Sequence, residues 1–221
     1  MKINSIFSVI SISAVLIASA ALISSAPSIK ETQADKKWEV TIDKIPKTLD
    51  EFKAMRDKLA SSPQGGIVVY LVGHLIMTAN PELGEQCLII ALDKGQLAQA
   101  GSGSKAVSVE GWVIGSSEKY KLTISTFARS KAYVAKSYVA GTSTAAGYKL
   151  PPLPYKYIIS RHSYQDADPN IWKGMVNTSC NDGGYVPIHV KVNSKGVWKV
   201  SNSSSFYSGC KPPVVNDDDD L

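Results

Sequence analysis

The twelve residues from Ile67 to Thr78 are apolar almost all round. A segment of that kind has no solvent face, so it belongs inside a core and needs neighbours on every side. It is too short to cross a bilayer, and Gly73 and His74 interrupt it. Its β-branched start, Ile67-Val68-Val69, would suit a strand. Its length, with Leu71, Leu75 and Met77, favours a core helix.

The flanking segments read as helices too. Thr48-Leu49-Asp50-Glu51 is a capping box, in which the Thr48 hydroxyl accepts from the Glu51 amide and the Glu51 carboxylate reaches back to the Thr48 amide. Leu49, Phe52, Met55 and Leu59 follow at helical spacing, and the Ser61–Gly66 stretch is expected to end that helix. Asn80-Pro81-Glu82 supplies an N-cap, a first-turn proline and an acidic first turn for a helix running to Leu92. Gly84 in its first turns implies close packing against a neighbour.

Strand patterns dominate after the loop Gly95–Lys105, whose Gly101-Ser102-Gly103-Ser104 is the natural boundary between the two halves. Val107–Ile114, Tyr120–Ser125, Tyr155–Ser160, Met175–Cys180, Pro187–Val192 and Val197–Val200 read as strands; Ala132–Val139 is ambiguous. Asn193-Ser194-Lys195-Gly196 reads as a hairpin turn, with Gly196 free to take a positive φ. Trp38–Ile42 alternates as a short early strand. Helices first and strands afterwards predict an α+β fold, with N-terminal helices packed on a C-terminal antiparallel sheet.

The N-terminus carries a different kind of signal. Lys2, an apolar run from Ile6 to Ile23 and the small residues Ala18-Ser19-Ala20 and Ser24-Ser25-Ala26 form the pattern of a secretory signal peptide over residues 1–26. Thr32-Gln33-Ala34 is a more distant cleavage candidate, and an uncut segment would be the one membrane attachment expected. The chain is therefore expected to be exported, to the periplasm or the medium. Residues 27–44 are expected to be a linker with a short strand, 45–213 a single α+β domain, and 214–221 an acidic disordered tail. The formal charge of +5 becomes +8 once Lys2 and the four aspartates Asp217–Asp220 are set aside. A body so basic can favour anionic partners such as wall polymers or sulfated glycans of a host matrix. The cations are scattered rather than clustered, and no Lys/Arg-rich block with interleaved aromatics stands out, so no nucleic-acid partner is expected.

Several stretches together resemble a known family. They are Thr48-Leu49-Asp50-Glu51-Phe52-Lys53, Ser62-Pro63-Gln64-Gly65-Gly66 and Asn80-Pro81-Glu82-Leu83-Gly84-Glu85-Gln86-Cys87-Leu88. Lys136-Ser137-Tyr138-Val139-Ala140-Gly141, Gly147-Tyr148-Lys149-Leu150-Pro151-Pro152 and Gly196-Val197-Trp198-Lys199-Val200 complete them. The chain resembles, over about residues 45–213, an uncharacterised bacterial domain-of-unknown-function family found in exported proteins. The resemblance implies one domain and carries no activity or ligand. It also makes Trp198 the residue expected to pack the last strand on the core.

No residue pattern amounts to a catalytic, cofactor or metal signature. His74, His162 and His189 share no metal-ligand spacing, and Asp166-Ala167-Asp168 opens like a calcium loop but lacks the later glycine and glutamate. A local turn explains those aspartates better. Cys180 with His189 and Asp182 holds the residue types of a cysteine hydrolase, which leaves an envelope hydrolase acting on wall polymer or peptide as the alternative. Cys180 and Cys210 are placed to form a disulfide in an exported chain; three free thiols are the other reading. The leading expectation is a non-enzymatic binding domain. Its candidate face is the tyrosine- and lysine-rich stretch holding Tyr138, Tyr148, Lys149, Tyr155, Lys156 and Tyr157. Against that stands the simple liking of strands for tyrosine.

Overall fold

The structure, a computed structural model, describes residues 28–32, 37–116, 131–180, 183–206 and 209–213. The signal-like segment, the Tyr120–Ser125 strand, Asp182 and the acidic tail lie outside the described residues. In chain order the elements begin with strands β1 (Ser28–Thr32) and β2 (Lys37–Ile42). Helices α1 (Leu49–Leu59), α2 (Pro63–Met77) and α3 (Pro81–Ala91) follow. Next come β3 (Leu97–Gln99), β4 (Trp112–Ile114) and the short helix α4 (Ala132–Lys136). Strands β5 (Tyr155–Arg161), β6 (Ile171–Thr178), β7 (Gly184–Val192) and β8 (Trp198–Asn202) complete the series.

The apolar run is the helix its composition demands. Every residue of α2 from Gln64 to Met77 is buried. It lies against α1, α3 and α4 and against strands β2, β6, β7 and β8. The helix starts earlier than its apolar part suggests. Ser62 caps it by accepting from the Gly65 amide at 3.1 Å, and Pro63 occupies the first turn. The Ser-Pro pair expected to end α1 thus also opens α2, because proline has no amide to lose at a helix start. α1 buries Phe52, Met55 and Leu59. Thr48 caps it as the sequence implies, at 3.2 Å from the Glu51 amide. The Glu51 carboxylate goes elsewhere: it accepts from the Lys47 amide at 2.7 Å and the Lys44 ammonium at 3.0 Å.

Six strands form one antiparallel sheet in the order β1-β2-β5-β6-β7-β8. The fold is α+β, with most of the helices early and most of the sheet late. The sheet is not purely C-terminal, however: β1 and β2 precede every helix and pair through β2 with β5. Residues 28–32, expected in a linker, form edge strand β1, since an extended polar segment can satisfy its backbone on a neighbouring strand. Alternation then sorts the side chains. Val40 and Ile42 on β2, Tyr157 and Ile159 on β5, Val176 on β6 and Ile188 and Val190 on β7 are buried. They share one hydrophobic cluster with the helices. That cluster takes side chains from both sides of Gly101–Ser104, so this loop does not divide two cores.

β3 and β4 form a separate two-stranded sheet. The Val107–Ile114 strand is shorter than its alternation implies, because Glu110 and Gly111 turn the chain back with φ of 53° and 78°. Ala132–Lys136, ambiguous in sequence, is helical. β8 is tied to the helices by the Trp198 amide, which donates to Ala60 O at 2.8 Å. Trp198 itself packs, half-buried, against the core.

Candidate functional site

The six residues of the tyrosine-rich stretch do not share one exposed face, for three of them are buried. Tyr138, Tyr148 and Tyr157 are 2%, 0% and 0% exposed. Tyr138 stacks on Phe206, with centroids 4.7 Å apart, and its hydroxyl donates to Phe206 O. Tyr148 stacks on Tyr133, and its hydroxyl donates to Lys211 O at 2.8 Å. These rings hold the C-terminal segment against the core. Tyr157 faces inward because β5 alternates, which leaves Lys156 on the outer side, paired with Glu39 at 3.0 Å. Tyr155 is half-buried, and Lys149 alone of the six is both exposed and without an ion pair among the described residues.

The structure joins Cys180 and Cys210 in a disulfide, 30 residues apart in sequence. It fastens the C-terminal segment to the end of β6. Cys87 is buried, and burial pushes its thiol up to about 12. None of the three sulfurs is available as a thiolate. His74 is buried beside Tyr70 and Phe206, and desolvation lowers its pKa to about 3. His189 is shifted down by partial burial, then by the charges of Lys173 and His162. The Asp166 and Asp168 carboxylates accept from the amides of Asp168 and Asn170, at 3.2 and 2.9 Å. That is the local turn, and among the described residues no group of His, Cys, Asp and Glu is arranged to hold a metal ion.

A cleft of about 620 Å³ lies elsewhere, where four parts of the chain meet. α1 contributes Lys53, Arg56 and Asp57, which share one helix face at spacings of three and four. The end of α3 and the turn after it supply Ile90, Asp93 and Lys94. β3, the Glu110-Gly111 turn and β4 supply Leu97, Glu110 and Trp112. The β7–β8 hairpin closes the cleft with Lys195, Val197 and Lys199.

Its charges are unequal and mostly engaged. Lys53 pairs with Glu110 at 3.4 Å, and Arg56 with Asp57 at 2.8 Å. Lys94 stands 5.3 Å over the Trp112 ring. Five cations against three carboxylates leave a surplus of two positive charges. Lys195 and Lys199 make no side-chain hydrogen bond or ion pair among the described residues. Lys199 is half-buried. Desolvation lowers its pKa, the charge of Arg56 adds to that, and Asp93 and Glu110 oppose it. Glu110 occupies a left-handed backbone conformation in which Asn or Gly is the ordinary choice. Val109 and Trp112 exchange both backbone hydrogen bonds at 2.9 Å around it, fixing the turn that carries its carboxylate to the rim.

None of these residues was nominated by sequence. The hairpin turn at Asn193–Gly196 was legible, but nothing local ties Lys195 or Lys199 to a helix 140 residues earlier. A second, shallower pocket of about 390 Å³ is lined by Thr142, Thr144, Thr178 and Ser179 near the disulfide. Its hydroxyls are largely spent on each other, as in Thr142 Oγ1 to Ser179 Oγ at 2.9 Å.

The arrangement defines an α+β domain that carries a positively charged cleft among its described residues. The chain belongs to the family described as Domain of unknown function (DUF6935), whose model matches residues 44–214. No curated protein and no solved structure matches it. The matched span begins after β1 and β2; β2 nonetheless pairs with β5 inside it, and β1 is added on β2. Among the described residues no helix is long and apolar enough to cross a membrane.

Proposed function

We propose that this protein is an exported, non-enzymatic binding domain of the cell envelope or secretome that takes an anionic ligand in the cationic cleft. The observation that carries the reading is the pair Lys195 and Lys199, which line a cleft of ligand size and form no ion pair with a carboxylate of the described residues. An unpaired, partly desolvated ammonium is a standing demand for an anion. The signal-like N-terminus and the disulfide support export. β1 supports processing after Ala20 or Ala26, since a cut after Ala34 would delete an edge strand of the sheet.

The test is calorimetric titration of anionic glycans, wall polymers and matrix proteins at two salt concentrations, with melting curves alongside. Lys195→Gln with Lys199→Gln should abolish binding and leave the melting temperature nearly unchanged. Lys149→Gln with Lys156→Gln should leave binding intact. Loss of binding in the second pair and not the first would move the site away from the cleft. Sequencing the N-terminus of secreted protein checks export, with a start at Ala21 or Pro27 expected.

A further inference from the structure

The cleft's other groups constrain what the anion is attached to. We propose that the ligand is an anionic sugar, a hydroxyl-bearing ring carrying one phosphate, sulfate or carboxylate. This rests on the cleft being the ligand site.

Three features converge on that chemistry. The first is the localised surplus charge. Lys53 and Arg56 are paired with Glu110 and Asp57, which leaves Lys94, Lys195 and Lys199 against Asp93: a surplus of two charges, with two of the three cations on one hairpin. That is room for one anionic group, not a track for a uniform polyanion. The second is the presence of carboxylates beside it. Asp57, Asp93 and Glu110 would repel a bare polyanion, yet each keeps acceptor positions beyond its present contact, because a carboxylate offers about four. A sugar's hydroxyls are donors of the right kind. The strained backbone at Glu110 points the same way. A left-handed glutamate costs about 1 kcal/mol or more, and such strain gathers where a side chain is used. The third is the apolar surface of Trp112, Leu97 and Val197. A sugar ring presents a flat C–H face that an indole can cover, while its hydroxyl edge stays polar. A volume of about 620 Å³ suits one or two rings.

The test measures affinities for glucose 6-phosphate, N-acetylglucosamine 6-sulfate and glucuronate, which separate the three anions. Inorganic phosphate, inorganic sulfate, neutral glucose and phenyl phosphate are the comparison set. At least one anionic sugar should bind about tenfold or more tighter than its inorganic anion and than phenyl phosphate, a gain of about 1.4 kcal/mol. Neutral glucose should not bind. Trp112→Phe should remove most of the sugar's advantage and leave the inorganic anion unchanged; Glu110→Gln, which frees Lys53, should narrow that advantage while strengthening the inorganic anion; Lys199→Gln should weaken both. Melting curves establish that each variant is folded. Equal binding of inorganic and sugar anions, or of phenyl phosphate and glucose 6-phosphate, would overturn the sugar assignment and keep the anion site. No binding of any anion at low salt would overturn both.

Discussion

Replacing Gly84 by alanine sets two principles against each other. Gly84 lies in the first turn of α3, where helix propensity alone favours alanine over glycine by about 1 kcal/mol. The structure denies it the space. A Cβ there would stand 2.3 Å from Met77 Cα, 2.4 Å from Met77 Cβ and 2.6 Å from Met77 N. These atoms end α2, which is buried on every side, so none can swing away as a surface side chain would. Ordinary contact begins near 3.4 Å, so α3 must withdraw by about 1 Å across its packed face. Overpacking of this kind costs up to about 3 kcal/mol. Less the gain in propensity, the expected net loss is about 2 kcal/mol, or about 4–8 °C in melting temperature at this size. Urea unfolding followed by circular dichroism should show a lower midpoint with an unchanged slope. Gly101→Ala is the control, since nothing lies within 4 Å of its Cβ position. Gly84→Ala as stable as the parent, or more stable, would refute the α2–α3 contact.

Opening the Cys180–Cys210 bridge, by reduction or by paired alanines, should cost about 2–4 kcal/mol for a loop of this length, read as the urea midpoint with and without reductant. An unmoved midpoint would count against the bridge, and Cys87 should react with thiol reagents only after unfolding. His74 stays neutral in the fold, with its pKa lowered from 6.5 to about 3, whereas the unfolded chain takes up the proton below about 6.5. Stability is therefore lost as pH falls through that window, by about 1.4 kcal/mol per pH unit. His74→Phe should flatten the pH dependence there, and curves parallel to the parent's would refute the assignment. The Tyr157 hydroxyl is buried with no hydrogen-bond partner among the described residues, so Tyr157→Phe should hold or raise stability. Tyr148→Phe should lower it by about 1 kcal/mol, because it removes the hydroxyl's bonds to Lys211 O and Thr144 Oγ1; equal effects in thermal melts would contradict the contrast.

The parts of this fold that could be read from sequence are those that local chemistry decides. Thr48 and Asn80-Pro81 mark helix starts because a cap needs only its next three residues. The buried helix α2 follows from composition alone. Ser62-Pro63 was half legible: the pair that stops one helix starts the next, and only the chain's direction afterwards distinguishes the two roles. β1 was illegible because Ile29 is its one apolar residue and gives no alternation, and its partner strand, not its own pattern, holds it extended. The tyrosines misled because tyrosine suits both a surface and a core with hydroxyl partners. Period two along β5 puts Tyr157 on the same side as Ile159, which hinted at burial. The cleft had no linear signature. Its cations come from segments as far apart as Lys53 and Lys199, and each alone is an ordinary surface residue.

The position of β2 between β1 and β5 also fixes an order of events when the chain is made. Ile42 pairs with Tyr155, 113 residues further on. Until β5 emerges, β2 has only β1 beside it, and a lone two-stranded hairpin is at best marginally stable in water. Helices α1, α2 and α3 are local in sequence and can gather first around α2. Closure of the sheet then waits for a long loop to be spanned, which makes it the slow, non-local step of folding. A nascent chain that stops short of β5 leaves Val40 and Ile42 without their place in the core and β2 with an unfilled edge. Sticky intermediates are to be expected at that stage of synthesis, and a holding chaperone would be of most use there.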